Sequence, residues 1–508
     1  MAESASAAPL SPVEPLSESS VRRSLIRRGW WFSLLKSSVS STALAFGGQR
    51  LDADFHTAQA ASVTSILASV PVPVKNLGDL CDVYTLDRFK RVYTSDAAKG
   101  WPYLSASEAF LFRPHSERWI AKSHAPPDAE RHFVKRKWVL LSTSGSVGRV
   151  LYATSNLEGF FLTHDLARIL SRGEVRPGYL FAYLSGALCQ PMLRPYGLTV
   201  RHIEPEHLKR ILVPVLPDDD QRAIENEVER AREFRERANT LIDQAGRSLL
   251  DELGLPSWSS TRAGHIFLPP ARYGPINYPD PSAFQVRLSE VIGPLTADSN
   301  DPVIRETLAR LAKGKYELVQ LGSLTAQPFI PNRSARVYVD QDHGAPFLQA
   351  SDVPTVRPYS LRYVSKKVTK LLTEWTVHKG WVLVTRSGTV GEIGLVSTAE
   401  DSWAVSEHVI RIPPTEPGFH PGYLAAFLMS PYGRNQLVFY GAVVKSLLPE
   451  TVASVLVPKA PRSVQQKIGD AMVEAFELKS RALNIEDDAI QLTVQLIRNL
   501  PKRQATSA

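Results

Sequence analysis

The chain has 508 residues, of which 44% are hydrophobic and 22% are charged. This composition excludes a largely disordered protein and predicts about two to four domains with packed cores. The net charge of +8 and the pI near 9.3 permit a polyanionic partner without identifying one.

The N-terminal segment is basic and rich in serine. Residues 1–28 are predicted to form a disordered tail, and a second short tail is expected at 501–508. The arginines that precede the apolar stretch after Trp30 leave an export signal as an alternative. No run of roughly 20 apolar residues occurs, so we expect no membrane-spanning helix. The only cysteines, Cys81 and Cys189, form no CxxC motif, and a reducing cytoplasmic setting is expected.

An internal repeat with a separation of about 244 positions organises the rest of the chain. The string PGYL occurs at 177–180 and again at 421–424. The string WVLLSTSGSVG from Trp138 corresponds to WVLVTRSGTVG from Trp381. Because the separation hardly drifts between such anchors, the chain is predicted to contain two copies of one module.

Each copy is predicted to be a mixed α+β module that is followed by one long helix. Short apolar runs bounded by Gly and Pro indicate strands, and the segment from Pro177 has helical spacing. The first module is assigned to 29–217, with the repeat itself beginning near residue 45, and the second to 289–461. A linker rich in Pro and Gly, with the start of the second repeat, is expected at 255–288.

The segments 218–254 and 462–500 are predicted to be long helices with narrow apolar seams. Seam residues alternate at spacings of four and three in both segments, and only Arg235 interrupts them. Two such seams predict a coiled coil between the two helices. A helix of about 36 residues is roughly 54 Å long, so the pair is expected to hold the modules well apart. The alternative is that each helix packs on its own module.

The sequence lacks the local signatures that enzymes of this size usually carry. No phosphate loop, HExxH helix, Cys/His cluster, nucleophile elbow, dinucleotide-binding turn or methyltransferase DPPY-type loop occurs. The acidic run Asp218-Asp219-Asp220 precedes a helix and is assigned to the helix dipole rather than to a metal. We therefore expect no catalytic residue in this chain, and no cofactor or metal bound by it.

Basic residues with aromatic neighbours are candidate nucleic-acid contacts in both modules. Lys and Arg contact phosphates, whereas planar or forked side chains distinguish base edges in a groove. Each candidate is alternatively a solvated surface charge. The candidates are Arg88, Lys90, Arg91, Arg113, Lys135, Arg136 and Lys137 in the first module, and Arg333, Arg336, Arg357, Arg362, Lys366 and Lys367 in the second.

Two further places in each module add candidates. The SG[ST]VG loops would present hydroxyls and backbone amides to DNA, and the alternative is a tight turn between strands. A basic residue also recurs after the Tyr-Gly pairs at 196 and 440, where the alternative is a residue that flanks the next strand. These candidates are Thr143, Ser144, Arg386 and Ser387 in the loops, and Arg201, His202 and Lys445 in the later segments.

Two variable modules that each end in VPxxP, followed by Gln and a long helix, resemble the specificity subunit of a type I restriction-modification system. The motifs are the two SGxVG segments, ILVPVLPDDDQRAIENEV from Ile211 and VLVPKAPRSVQQKIGDAM from Val455, within residues 45–500 or so. The resemblance implies two target-recognition domains separated by an antiparallel two-helix coiled-coil spacer. It also implies a non-catalytic subunit that binds double-stranded DNA. Because the modules differ in their basic segments, we expect an asymmetric bipartite site with unread base pairs between its halves.

The resemblance further implies the partners. Two methyltransferase subunits would pack on the spacer and use S-adenosylmethionine, and a restriction subunit would use ATP and magnesium to translocate and cleave DNA. The basic tail and the linker depart from the family pattern, so a reader in a related anti-phage defence system is one alternative. A non-catalytic two-module scaffold or ligand-binding protein, and an enzyme with an unrecognised site, are the others.

Overall fold

The structure is a computed structural model that describes residues 58–94, 96–116, 118–193, 202–257, 287, 300–358, 361–367, 372–388, 390–439 and 446–507. The predicted tail at 1–28, most of the predicted linker and the candidates Arg201 and Lys445 lie outside the described residues. The described part of the chain contains two α+β modules and a pair of long helices. The predicted fold class is therefore confirmed.

The first module consists of short strands and helices that end in a long helix. One antiparallel sheet has the strand order β2-β9-β6-β7, and β1 pairs with β10. A second sheet has the order β3-β5-β4-β8, in which β4 and β8 are parallel. In chain order the elements are α1 (Ala58–Ser69), β1 (Val74–Asn76), α2 (Leu77–Leu80), β2 (Cys81–Tyr84), β3 (Tyr93–Thr94), β4 (Gly100–Leu104), α3 (Ala106–Ala109), β5 (Trp119–Ala121), β6 (Val139–Ser142), β7 (Val150–Tyr152), β8 (Phe161–Leu162), β9 (Leu166–Ser171), α4 (Pro177–Ser185), α5 (Pro205–Lys209), β10 (Leu212–Pro214) and α6 (Asp218–Leu253).

The second module repeats most of this topology. Its sheet β12-β14-β13-β17 corresponds strand by strand to β3-β5-β4-β8, including the parallel pair β13 and β17. The other pairings are β16-β15-β18 and β11-β19. Its elements are α7 (Pro302–Leu311), β11 (Leu318–Gln320), β12 (Tyr338–Val339), β13 (Gly344–Leu348), β14 (Arg362–Ser365), α8 (Leu372–Trp375), β15 (Val382–Thr385), β16 (Ile393–Leu395), β17 (Ala404–Val405), β18 (Val409–Ile412), α9 (Pro421–Met429), α10 (Pro431–Arg434), α11 (Pro449–Ala453), β19 (Leu456–Pro458) and α12 (Arg462–Ser507).

The long helices α6 and α12 form an antiparallel coiled coil. Every seam position of α6 is buried, and every seam position of α12 is buried or half-buried. Lys467, near the start of α12, lies 2.5 Å from the carboxylate of Glu252, near the end of α6. The predicted coiled coil is thus confirmed. Helix α12 continues to Ser507 and so extends past residue 500, where its end was predicted.

The repeated PGYL motif joins each module to its long helix. The hydroxyl of Tyr423 donates to the carbonyl of Pro458 at 2.6 Å, and Tyr179 makes the equivalent bond at 2.5 Å. A Cβ atom on Gly422 would lie 2.1 Å from the carbonyl oxygen of Gly469. Only glycine therefore allows α9 to approach α12 so closely.

The glutamine of the VPxxP-Gln motif makes the second joint. The side-chain oxygen of Gln221 accepts from the N–H of Arg176, just before α4, and its amide donates to the carbonyl of Leu216, both at 2.8 Å. Gln465 makes the same two bonds in the second module. One glutamine side chain thus provides hydrogen-bond partners for a backbone N–H at a helix start and for a backbone carbonyl just after a strand, which explains why the motif recurs.

The two modules occupy opposite ends of the helix pair. The core of the first module includes Ile224 from the start of α6 and Ala489 from the end of α12. The core of the second includes Leu249 from the end of α6 and Ile468 from the start of α12. Each module therefore packs on both helices, so the predicted helix pairing and the alternative of packing on the modules both occur.

Within the described residues, the modules contact each other across the helix pair. Leu111 forms an isolated antiparallel bridge with Thr355. This contact corrects the expectation that the rod would hold the modules well apart along its whole length.

Candidate nucleic-acid interface

An exposed tyrosine stands at the same position in both modules, on the edge strands β3 and β12. Tyr93 is 43% exposed and Tyr338 is 41% exposed, and within the described residues only Val337 is a comparably exposed large hydrophobic side chain. The guanidinium of Arg118 lies 5.9 Å from the ring centre of Tyr93, and that of Arg362 lies 5.1 Å from Tyr338. The recurrence of the same exposed ring in both copies makes this edge a candidate binding surface.

A second arginine covers a second ring in each module. Arg91 lies 5.4 Å from the ring centre of Tyr103, and Arg336 lies 5.0 Å from that of Phe347. These distances are typical of cation–π contacts, which restrain a guanidinium without using all of its hydrogen-bond donors. We refer to Arg91, Tyr93, Tyr103 and Arg118 as the first arginine–aromatic cluster, and to Arg336, Tyr338, Phe347 and Arg362 as the second.

An acidic side chain connects each cluster to the region of its SG[ST]VG loop. In the first module, Asp165 accepts from the hydroxyl of Ser144 at 2.9 Å and lies 3.8 Å from Arg91. In the second module, Glu407 pairs with Arg336. The next residue, His408, has its Nδ1 2.6 Å from the hydroxyl of Ser387. The order of acid and histidine is reversed between the copies, so the two surfaces present different groups.

Both acidic side chains remain ionised at neutral pH. Burial opposes ionisation of Asp165, but the hydroxyl of Ser144 and the neighbouring His164 hold its pKa below the usual range. Burial likewise opposes ionisation of Glu407, and a backbone N–H and Arg336 still lower its pKa. Burial also lowers the pKa of His164, so this imidazole is neutral at pH 7 and has one donor and one acceptor.

A fully buried arginine supports the acidic segment of each module. Nη1 of Arg168 donates to the carbonyls of Thr163 and Leu166 at 3.0 and 2.6 Å. Arg411 makes the equivalent bonds in the second module. Burial lowers the pKa of Arg168 to about 10 and that of Arg411 to about 9, so both remain charged at neutral pH. These arginines therefore position the segments that carry the acids.

Several predicted contacts lie in or beside the clusters. Arg91, Arg336 and Arg362 are cluster members, and Ser144 and Ser387 contact the adjoining segments. Arg333 lies 3.8 Å from Glu407, and His202 forms a bridge with Ser144. Other exposed basic residues lie next to strands of these sheets. Arg88 and Lys90 precede β3 in the first module, and Lys366 and Lys367 follow β14 in the second. All of these remain predicted DNA contacts.

Four predicted basic contacts point to the spacer instead. Their charged groups lie 2.6 to 3.0 Å from carboxylates of the long helices. These ion pairs attach the modules to the long helices, and a DNA contact by the same residues stays a prediction. The pairs are Arg113 with Asp243, Arg136 with Glu236, Lys137 with Glu229, and Arg357 with Asp487.

The loop candidates are divided between turn and surface. Thr143 is buried, and its N–H donates to the carbonyl of Asp165 at 3.0 Å, so it lies in the turn, and its DNA contact stays a prediction. The N–H of Gly148 donates to the carbonyl of Ser142 at 2.9 Å, which makes this loop the tight turn that was the alternative. Arg386 is half-buried and its Nε donates to the carbonyl of Leu447 at 3.2 Å, whereas Lys135 is exposed.

The aromatic members of both clusters were not predicted from the sequence. A signal existed, because the string RVY occurs at 91–93 and again at 336–338. Arg118 and Arg362 are also separated by the repeat distance. The clusters are therefore a repeated feature that a residue-by-residue search for basic patches does not find.

Neither a metal site nor a membrane span is found in the part of the chain that the structure describes. No group of three or more His, Cys, Asp or Glu side chains there is arranged to hold a metal ion. None of the helices in these same ranges has the length and the apolar character that crossing a bilayer requires.

Three solved structures are similar to this chain over 85% of its length. The S subunit of a type I restriction-modification system from M. genitalium matches over 96% of its own chain, with 14% identity and a TM-score of 0.30. The HsdS subunit from Thermoanaerobacter tengcongensis matches over 97%, with 15% identity and a TM-score of 0.26. A chain from work on the assembly and conformational transition of the type I R-M system matches over 97%, with 14% identity and a TM-score of 0.27. No protein-family model and no curated protein matches.

Proposed function

We propose that this chain is the DNA-sequence-recognition subunit of a type I restriction-modification system, and that each arginine–aromatic cluster contacts one half of a bipartite site. The observation that carries this proposal is the presence of the same cluster on the same edge strand in both modules. A duplicated surface on a rigid helix pair suits a ligand with two recognition points, such as double-stranded DNA.

The chemistry of the clusters suits DNA. A guanidinium donates two parallel hydrogen bonds to guanine O6 and N7 or to a phosphate. A carboxylate accepts from the N4 amino group of cytosine, and an exposed aromatic ring packs on a thymine methyl or the sugar backbone. Each cluster combines guanidinium groups with an exposed ring, and the neighbouring Asp165 or Glu407 adds a carboxylate. The net charge of +8 favours approach to a polyanion.

The differences between the clusters favour two different half-sites. The pair His164-Asp165 in the first module stands where the second module has Glu407-His408. Because donors and acceptors change while the framework is repeated, the two modules present unlike patterns to base edges. We therefore propose an asymmetric site whose halves are separated by unread base pairs.

The partners follow from the same proposal. Two methyltransferase subunits that use S-adenosylmethionine would bind the spacer, and a restriction subunit that uses ATP and magnesium would act on the DNA that this chain selects. In this proposal the chain itself contributes no catalytic residue and acts in the cytoplasm. The helix pair offers a long surface for such subunits, since α6 alone has 36 residues.

Selection from a random duplex library tests the proposal. The full-length chain, co-purified with its methyltransferase subunits, is incubated with the library, and the retained duplexes are sequenced. We expect one motif of two unlike halves at a constant separation, and retention that falls steeply as salt is raised. Equal retention of all sequences, or a single undivided motif, would contradict the proposal.

Substituting the exposed tyrosines separates the two modules. We expect Tyr93→Ala and Tyr338→Ala each to weaken binding to the selected site about tenfold, because each removes a central aromatic contact from one half. Each variant should lose base preference in only one half-site, and the half-site affected by Tyr93→Ala should differ from the one affected by Tyr338→Ala. Sequencing of the retained duplexes measures this effect.

The control for the tyrosine variants is Lys209→Ala. Lys209 is a half-buried residue of α5 that pairs with Glu206 and belongs to neither cluster. We expect the DNA affinity and the base preference of Lys209→Ala to match those of the unsubstituted chain. If Tyr93→Ala and Tyr338→Ala altered the same half-site, the assignment of one half to each module would be wrong.

A further inference from the structure

The two modules are joined by a short antiparallel pairing near the middle of the helix pair. The N–H of Phe112 donates to the carbonyl of Pro354 at 2.8 Å, and the N–H of Val356 donates to the carbonyl of Phe110 at 3.0 Å. Between these bonds Leu111 lies opposite Thr355. Two separate domains are thus connected by backbone hydrogen bonds rather than by surface contacts alone.

The paired residues are equivalent positions of the repeat. Leu111 and Thr355 are separated by the repeat distance of about 244 positions, as are Phe112 and Val356. A segment that pairs with its own repeat copy makes an isologous contact, like that across a two-fold axis in a symmetric dimer. The pseudo-two-fold axis that relates the modules therefore passes through this bridge.

Each paired segment is also anchored to a long helix. Arg113 donates to the side-chain oxygen of Asn239 at 3.0 Å and to Asp243 at 2.6 Å, both on α6. Its repeat equivalent, Arg357, lies 2.6 Å from Asp487 on α12. Backbone pairing and these ion pairs together hold the two segments over the middle of the helices. We call the segments 110–113 and 354–357 the clamp.

The clamp is directly connected to both recognition surfaces. In the first module it lies between β4, which carries Tyr103, and β5, which follows Arg118. In the second module it lies between β13, which carries Phe347, and β14, which begins at Arg362. A displacement of the clamp would therefore move cluster residues on both strands.

We propose that the clamp determines how many unread base pairs separate the two half-sites. One base pair advances the duplex by about 3.4 Å and turns it by about 35°. Modules attached only at the ends of the helix pair could adjust to such a step, whereas modules that share hydrogen bonds near their recognition strands cannot do so without breaking them. This role rests on the proposed function and adds the element that sets the spacing.

Charge pairs across the bridge test this role. In L111D/T355D two like charges face each other at about 5 Å, which opposes strand pairing. In L111D/T355K the same position carries opposite charges, so the pairing is restored. We expect the unsubstituted chain and L111D/T355K to bind duplexes with one added or removed spacer base pair at least about tenfold more weakly than the selected site. For L111D/T355D we expect this difference to fall to about threefold or less.

A distance measurement without DNA tests the clamp separately. Spin labels on Glu130→Cys and Asp342→Cys report the separation of the modules, because both positions are exposed, whereas the native Cys81 and Cys189 are buried. We expect narrow distance distributions for the unsubstituted chain and L111D/T355K, and a broader one for L111D/T355D. Cooperative thermal unfolding of each variant verifies that it is folded.

Three outcomes would overturn the inference. An unchanged distance distribution in L111D/T355D would show that the bridge does not hold the modules. A broader distribution with unchanged spacing preference would show that the helix pair alone sets the spacing. If the unsubstituted complex selected no bipartite site, the proposed function and the spacing role would both be wrong, while the label distances would still report whether the bridge holds the modules.

Discussion

Glu486→Gln is expected to lower the free energy of unfolding by about 3–5 kcal/mol. Glu486 lies within the helix pair, where both of its oxygens accept from Arg235 of the opposite helix. The side chains of Arg235 and Glu486 are 3% and 2% exposed. The neutral amide would leave the guanidinium buried without a compensating charge, which costs more than the pair itself contributes. Urea denaturation followed by far-UV circular dichroism measures the change.

An exposed ion pair on the same two helices provides the control. Glu474 accepts from Arg237 at 2.7 Å, but the two side chains are 47% and 65% exposed. Glu474→Gln should change the unfolding free energy by less than about 1 kcal/mol, since water already screens this pair. The double variant Arg235→Met/Glu486→Met should recover most of the lost stability, because it removes both buried charges. Equal losses for Glu486→Gln and Glu474→Gln would contradict the argument.

Arg411→Met is expected to lower the free energy of unfolding by about 3 kcal/mol and to weaken DNA reading by the second module. Nη1 of Arg411 donates to the carbonyls of Ser406 and Val409 at 2.9 and 2.5 Å, and the side chain is fully buried. Methionine fills similar space but leaves buried acceptors without donors, at about 1–3 kcal/mol each. Thermal and urea unfolding measure the stability. Library selection measures preference at the half-site of the second module.

Arg333→Met is the matched control for stability, with the same substitution in the same module. The side chain of Arg333 is 74% exposed, so we expect Arg333→Met to change the free energy of unfolding by no more than about 0.5 kcal/mol. Arg411→Lys retains the charge but not the forked donors, and should fall between the unsubstituted chain and Arg411→Met. If Arg411→Met were as stable as Arg333→Met, Arg411 would not support the segment that carries Glu407.

The repeat made much of the architecture predictable. A separation of about 244 positions predicted two copies of one module, and the alternation from Ile224 to Leu249 predicted a helix that pairs through a narrow seam. The same reasoning treated Arg235 as an interruption of that seam. In the structure Arg235 is buried in it, because Glu486 lies opposite. Periodicity shows which face of a helix is covered, but it does not show which residue of another helix covers it.

The candidate site was predictable only in part. Basic residues with aromatic neighbours included Arg91, Arg336 and Arg362, which lie in the clusters. The same criterion selected Arg113 and Arg357, which bind the long helices instead. A lysine or arginine has the same sequence signature whether its partner is a phosphate or a carboxylate of another element. Which of these partners the side chain contacts depends on the tertiary structure.

The sequence by itself determined the duplication, the α+β character of the modules and the pairing of the long helices, because periodicity and turn residues act through neighbours along the chain. Only the tertiary structure decided which arginines cover aromatic rings at the surface and where one module touches the other. The bridge between Leu111 and Thr355 joins residues about 244 positions apart, and each strand sequence alone is compatible with many partners. Packing of both modules on one antiparallel helix pair brings these two together.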